Sequence, residues 1–196
     1  MTIRTDRRAL IPRPETEVVV ERALARIGDV ERPEVLDVGV GSGAIALAIA
    51  DEHPTARVTG FDSSPDALAV ARDNLASTEL DRRVRLVERD LRGGFGAARF
   101  DLVVSNPPYV DDEEIEGLEP EVRDWEPREA LVAPGATEAV ARAARAALKE
   151  RGWLVLEVAA GRAAETARLL SELGYVDVTI DPDLAGRDRI VSGARS

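Results

Sequence analysis

Short apolar runs bounded by turn residues alternate along this chain with stretches whose apolar positions recur at helical spacing. That alternation is the pattern of an open α/β fold, a mostly parallel sheet with helices on its faces. The runs predict strands at residues 34–38, 56–62, 84–87, 102–104, 152–158, 175–180 and 188–192. A first helix is predicted from Pro14 through Val18, Val19, Leu24 and Ile27, with Pro14 in its first turn and Gly28-Asp29 ending it. Others follow at residues 44–50, from an N-cap at Ser64 with an apolar face of Leu68, Val70, Ala71 and Leu75, from Gly135 to Lys149, and at residues 163–173. The acidic run of residues 111–119 reads as a short solvated helix, and as a surface that a basic partner can meet. Residues 1–9 are charged and read as a disordered segment; residues 10–196, with no repeat and no linker, read as one domain.

Chemistry gathers where strands end. Leu102-Val103-Val104 is stopped by Pro107 and Pro108, which cannot continue a sheet ladder. At that stop stand Asn106, a stiffened backbone and Tyr109, and in open α/β sheets ligands bind beyond the carboxyl ends of the strands. The Asn106 side-chain carbonyl and the Pro107 backbone carbonyl are two adjacent acceptors suited to a planar –NH2 group, and Tyr109 offers a flat face to it. Acceptors on both N–H bonds of a conjugated amine favour a pyramidal nitrogen and stabilise positive charge as it attacks an electrophile.

The strand of residues 34–38 feeds the turn Gly39-Val40-Gly41-Ser42-Gly43 and then a small-residue helix. Gly39 and Gly41 permit positive φ and close approach of a ligand, although Gly39-x-Gly41-x-x-Ala44 also satisfies the dinucleotide fingerprint. Asp37 inside the strand end, together with the Asn-Pro-Pro-Tyr turn, favours S-adenosylmethionine. Asp62 closes the next strand, where a carboxylate accepts from ribose hydroxyls, and Asp90 stands where an adenine amine would be met.

Bulk properties narrow the chemistry. The 196 residues suffice for one well-buried domain, and the composition, 44% hydrophobic and 32% charged, is that of a globular protein. With no cysteine and a single histidine, His53, disulfides, thiol catalysis and a Cys/His metal site are excluded, and no metal is expected. The net charge of −11 argues against stable binding to phosphate backbones. No apolar run is long enough to span a bilayer and no secretory signal is present, so no membrane partner and a cytoplasmic monomer are expected.

Taken together, Leu10 to Glu17, Leu36 to Gly43, Asp101 to Val110, Glu126-Pro127-Arg128 and Asp183 to Arg189 resemble the bacterial release-factor glutamine methyltransferases. The glycine-rich loop is common to class I methyltransferases, and Asn-Pro-Pro-Tyr to enzymes acting on amino groups of glutamine, adenine or guanine. Pro12 to Glu17 and Leu184 to Arg189 are the narrower signatures. The resemblance implies a class I, Rossmann-like seven-stranded sheet with the last strand antiparallel, so that residues 10–196 form a single methyltransferase domain. It implies S-adenosylmethionine as methyl donor and, as acceptor, the glutamine side-chain amide in the Gly-Gly-Gln loop of peptide chain release factors. By motif match Asn106, Pro107 and Tyr109 would be catalytic and would bind substrate with Pro108, while Thr16 and Glu17 border the pocket. Asp37, Gly39, Gly41 and Gly43 would hold the donor, joined by Asp62, Ser63, Asp90, Leu91 and Asn106. Two departures stand out. Members usually carry a helical N-terminal domain that grips the release factor, whereas here the family region starts almost at Met1, as in a trimmed or naturally short form. Glu157 to Arg162 replaces a turn that in many members contains glycine and glutamine.

Rival readings are methylation of an exocyclic amine of adenine or guanine in nucleic acid, methylation of another protein side chain, and a non-catalytic donor-binding adaptor. The acidic balance counts against the first, and the intact Asn106 to Tyr109 turn against the last.

Overall fold

The computed structural model describes residues 1–97, 99–110 and 112–196, with Arg92 described through its backbone alone. Ala98 and Asp111, the latter the first residue of the expected acidic helix, lie outside the described residues.

The elements follow the chain as α1 (Pro14–Ile27), β1 (Glu34–Val38), α2 (Ala44–Glu52), β2 (Arg57–Asp62), α3 (Pro65–Ala76), β3 (Val84–Glu88) and β4 (Phe100–Ser105). Beyond β4 come a 3₁₀ turn at Asp112–Gly117, short helices α4 (Pro120–Arg123) and α5 (Arg128–Leu131), then α6 (Ala136–Ala147), β5 (Leu148–Glu157), α7 (Ala163–Glu172), β6 (Tyr175–Pro182) and β7 (Asp188–Arg195). The strands form one sheet in the order β3-β2-β1-β4-β5-β7-β6. Neighbours from β3 through β5 are parallel, and β7 runs antiparallel to both β5 and β6, as the resemblance implied.

The strands are apolar almost throughout because both faces are covered. Val35, Leu102, Val104 and Val155 face a layer made by α1 and α2, whereas Leu36, Val38, Val103, Leu154 and Leu156 face α6 and α7. In α1 the buried Val19, Val20, Ala23 and Ile27 recur at helical spacing and form the stripe laid on the sheet. Ser64 caps α3 as expected, its hydroxyl accepting from the Ala67 N–H at 3.2 Å. Among the described residues no helix is long and apolar enough to cross a membrane.

One boundary corrects the sequence. The helix expected from Gly135 to Lys149 ends at Ala147, and Leu148 begins β5. Alanine-rich helical periodicity carries on past this point, but Leu148 pairs with Phe100 and is fully buried there. The partner strand decides, and the ladder resumes only at Leu102 with Trp153 after a bulge that contains Arg151 at φ 59°. At the other end of the chain, the segment expected to be disordered has specific contacts. The Arg4 N–H donates to Asn74 Oδ1, Asn74 Nδ2 donates back to the Arg4 carbonyl, and Ala9 is buried.

Candidate functional site

The glycine-rich loop leaves β1 and is hung on the end of β2. Gly39 and Val40 donate their N–H groups to the Phe61 carbonyl, both at 2.8 Å, and the Gly41 N–H donates to Asp62 Oδ2 at 2.9 Å. Gly39 and Gly41 have φ of 75° and 54°, the left-handed conformation that side chains resist. A Cβ on Gly39 would stand 3.9 Å from the Asn106 carbonyl, so the loop lies directly against the end of β4. That end is pinned by Ser105, whose buried hydroxyl donates to the Val38 carbonyl at 2.7 Å. The loop, the end of β2 and the end of β4 enclose a cavity of about 370 Å³.

Most residues expected to hold the donor meet on this cavity: Gly39, Gly41, Asp62, Ser63, Asp90, Leu91 and Asn106 all line it. Gly43 does not face it; it caps α2 at φ 87° and packs against Leu47 and Ala71 of α3. Asp37 lies beneath the loop, 1% exposed, with Oδ2 accepting from the Ala46 N–H in the first turn of α2. Its Oδ1 is buried without a hydrogen bond. Arg8, Pro127, Glu129 and Pro134 also line the cavity, which sequence pattern alone did not indicate; only the Glu126-Pro127-Arg128 motif hinted that this loop returns to the site.

The residues fit S-adenosylmethionine on this geometry. Two glycines leave room where a Cβ would project, and Asp62 offers on the cavity wall a carboxylate fixed by backbone N–H groups. Burial pushes the Asp37 carboxyl up to about 7, opposed by the Ala46 N–H and raised further by nearby Asp62. Desolvation also raises Asp62, against the backbone N–H groups of Ser64 and Gly41.

The sign of the Asp37 effect is testable. A carboxyl that ionises near 3.9 in the unfolded chain but near 7 in the fold binds more protons when folded, so its contribution is present below the lower value and lost as pH rises through 7. Asp37→Asn removes the charge and keeps an acceptor for Ala46. It is expected to stabilise the donor-free chain at pH 8 by about 1–3 kcal/mol and to change little at pH 4. Urea unfolding at both pH values checks this, and equal stability of the two proteins at pH 8 would refute it.

The Asn106 to Tyr109 turn forms the far wall. Pro107 is buried, and Pro108 lines both the donor cavity and a second, open hollow of about 480 Å³ that Tyr109 and Val110 share with α6 and α7. Among the described residues the Asn106 side chain makes no hydrogen bond. Behind Tyr109 lies a buried polar cluster. Arg189 Nη2 donates to the Tyr109 oxygen at 2.9 Å, Glu157 Oε1 stands 3.5 Å from that oxygen, and Thr16 Oγ1 donates to Glu157 Oε2 at 3.0 Å. Thr16 is thus a partner of Glu157. Glu17, exposed on the next position of α1, lines a hollow beside α2 that Thr16 also borders, away from the donor cavity.

The narrow sequence signatures converge around the same rim. Arg13 pairs with the buried Glu126 at 2.7 Å, joining the Pro12 to Glu17 stretch to Glu126-Pro127-Arg128. Arg187 bridges Asp183 at 2.9 Å and Glu15 at 2.8 Å, tying the Asp183 to Arg189 loop to the start of α1.

The chain is similar in sequence and in fold to known proteins. The Methyltransferase small domain family matches residues 16–119. The release factor glutamine methyltransferase of Caulobacter vibrioides is 40% identical over 200 residues, covering 99% of this chain and 68% of that protein. Its counterpart in Chlorobaculum tepidum is 45% identical over 199 residues, covering 95% and 67%. The chain therefore spans about two thirds of the length of these relatives. In fold it is similar to the apo S-adenosylmethionine-dependent methyltransferase SibL, with TM-score 0.67 at 24% identity over 92% of this chain and 55% of that one. An S-adenosylmethionine-dependent O-methyltransferase from Thermotoga maritima gives TM-score 0.66 at 17% identity, covering 98% and 67%.

Proposed function

The chain belongs to the release factor glutamine methyltransferase family, and from that membership we propose that it methylates the side-chain amide nitrogen of the glutamine in the Gly-Gly-Gln loop of peptide chain release factors. Methyl transfer from S-adenosylmethionine is the coarser activity that family and fold share. The observation that carries the finer reading is the place of the Asn106 to Tyr109 turn, between the donor cavity and an open hollow from which an acceptor side chain can enter.

The sulfonium of S-adenosylmethionine supplies an electrophilic methyl group. Asp62 and the Gly39 to Gly41 loop bind the donor, with Ser63, Asp90 and Leu91 along the cavity wall. Asn106 Oδ1 and the Pro107 carbonyl accept the two N–H bonds of the acceptor amide, which aligns the nitrogen lone pair and stabilises the positive charge that develops there. Tyr109 holds the amide plane. As the N–C bond forms the S–CH3 bond would break, releasing the neutral thioether, and the strongly acidic nitrogen would then give its proton to solvent water, so alignment rather than a strong base carries the rate. Among the described residues the acidic stretch from Asp112 to Glu121 flanks this turn, and a basic surface on the protein substrate would complement it.

The test is transfer of labelled methyl from S-adenosylmethionine to unmethylated release factor, with tRNA and DNA supplied as competing acceptors. Label in the release factor alone is the expected result. Label in nucleic acid with none in the release factor would move the acceptor to an exocyclic base amine, and label in another protein would move it to a different side chain.

A further inference from the structure

The cluster behind Tyr109 assembles four residues that are far apart in the chain. Thr16 comes from the first turn of α1, Tyr109 from the turn after β4, Glu157 from the last position of β5 and Arg189 from the start of β7. Glu157 has no exposed surface and the Arg189 side chain is 13% exposed, at an N–O separation of 3.6 Å. Taking both charges out of water is costly, and a purely packing role would be filled as well by apolar residues. The cluster is instead directed at one atom. Arg189 Nη2 donates to the Tyr109 oxygen, the Tyr109 hydroxyl donates to Glu157 Oε1 at 3.5 Å, and the guanidinium carbon is 5.3 Å from the Tyr109 ring centre. Thr16 in turn fixes the other oxygen of Glu157.

We propose that Arg189 and Glu157 are positioning residues that clamp the Tyr109 hydroxyl and so fix the ring face against which the acceptor amide is laid. Thr16 holds the clamp in register from α1. The inference rests on the reading that the Asn106 to Tyr109 turn receives the acceptor, and it assigns a task to residues of two signature stretches, Thr16 and Arg189, that neither donor nor acceptor contacts require. A ring anchored only by its backbone can rock by about an ångström, and misplacement on that scale costs about 10²-fold in rate. Neither clamp residue touches the reacting atoms.

Tyr109→Phe keeps the ring and its packing and removes only the clamped atom. It is expected to lower kcat by about 10- to 10²-fold at saturating donor, with donor affinity close to that of the unaltered chain and a modestly lower thermal midpoint, because Arg189 loses a hydrogen-bond partner. Arg189→Lys keeps the charge beside Glu157 but loses the planar fork, and is expected to lower kcat by a similar factor. The double variant is expected to be no slower than the slower single variant, because both remove the same interaction. A Tyr109→Phe protein with unaltered kcat, or factors that multiply in the double variant, would overturn the proposal. If methyl transfer goes to a different acceptor amine, the glutamine reading falls, and the Tyr109–Arg189 coupling is then measured on that acceptor with the same two outcomes.

Discussion

Asn106→Ala is expected to lower single-turnover methyl transfer by about 10²–10³-fold, the usual cost of removing one aligned dipole from a developing charge. The side chain stands at the end of β4, where Ser105 is pinned to β1 and Pro107 stiffens the backbone that follows. Its amide makes no hydrogen bond among the described residues, so truncation leaves no buried partner unsatisfied and should barely change stability. Donor affinity should change far less than rate, because Asp62 and the glycine loop remain on the cavity. Rapid-quench measurement at saturating donor separates the two. A rate within a few fold of the unaltered chain would remove Asn106 from the chemistry.

Glu157→Ala is expected to cost about 3–5 kcal/mol of folding free energy, the penalty for leaving the other half of a buried ion pair uncompensated. The loss falls on Arg189, whose Nε already lacks a hydrogen bond, and on the buried Thr16 hydroxyl that donates to Glu157. Desolvation raises the Glu157 carboxyl, while Thr16, Arg189 and Tyr109 favour its charged form. Glu157→Gln retains two polar atoms of the same shape and is expected to lose about half as much. Urea titration of the three proteins checks the order. A loss below about 1 kcal/mol for Glu157→Ala would mean that water enters and replaces the carboxylate.

What the sequence disclosed and what it hid divide along local and distant interactions. Strands β1 and β4 were legible because continuous apolar runs bounded by glycine or proline leave few alternatives, and the ligand end of each followed from the direction of a parallel sheet. The end of α6 was not, because Ala-rich periodicity continues through Leu148 while Phe100, far away in the chain, claims that residue for the sheet. Thr16 and Glu17 were paired in one motif and both border the hollow beside α2, yet Thr16 is buried and donates to Glu157, far away in the chain, while Glu17 is exposed. Asp37 was placed at the strand end correctly, but its burial under the loop depends on the Ala46 N–H of α2. The Glu157–Arg189 pair was out of reach in principle. Nothing in the neighbourhood of either residue signals that an antiparallel β7 lays Ile190 beside Glu157 and brings Arg189 to Tyr109.

The most direct test of the acceptor is tandem mass spectrometry of an unmethylated release factor after incubation with this chain and S-adenosylmethionine. One added methyl on the glutamine of the Gly-Gly-Gln peptide, absent when Asn106→Ala replaces the unaltered chain, is the expected result. A methyl found on any other residue, with that glutamine unmodified, would contradict it.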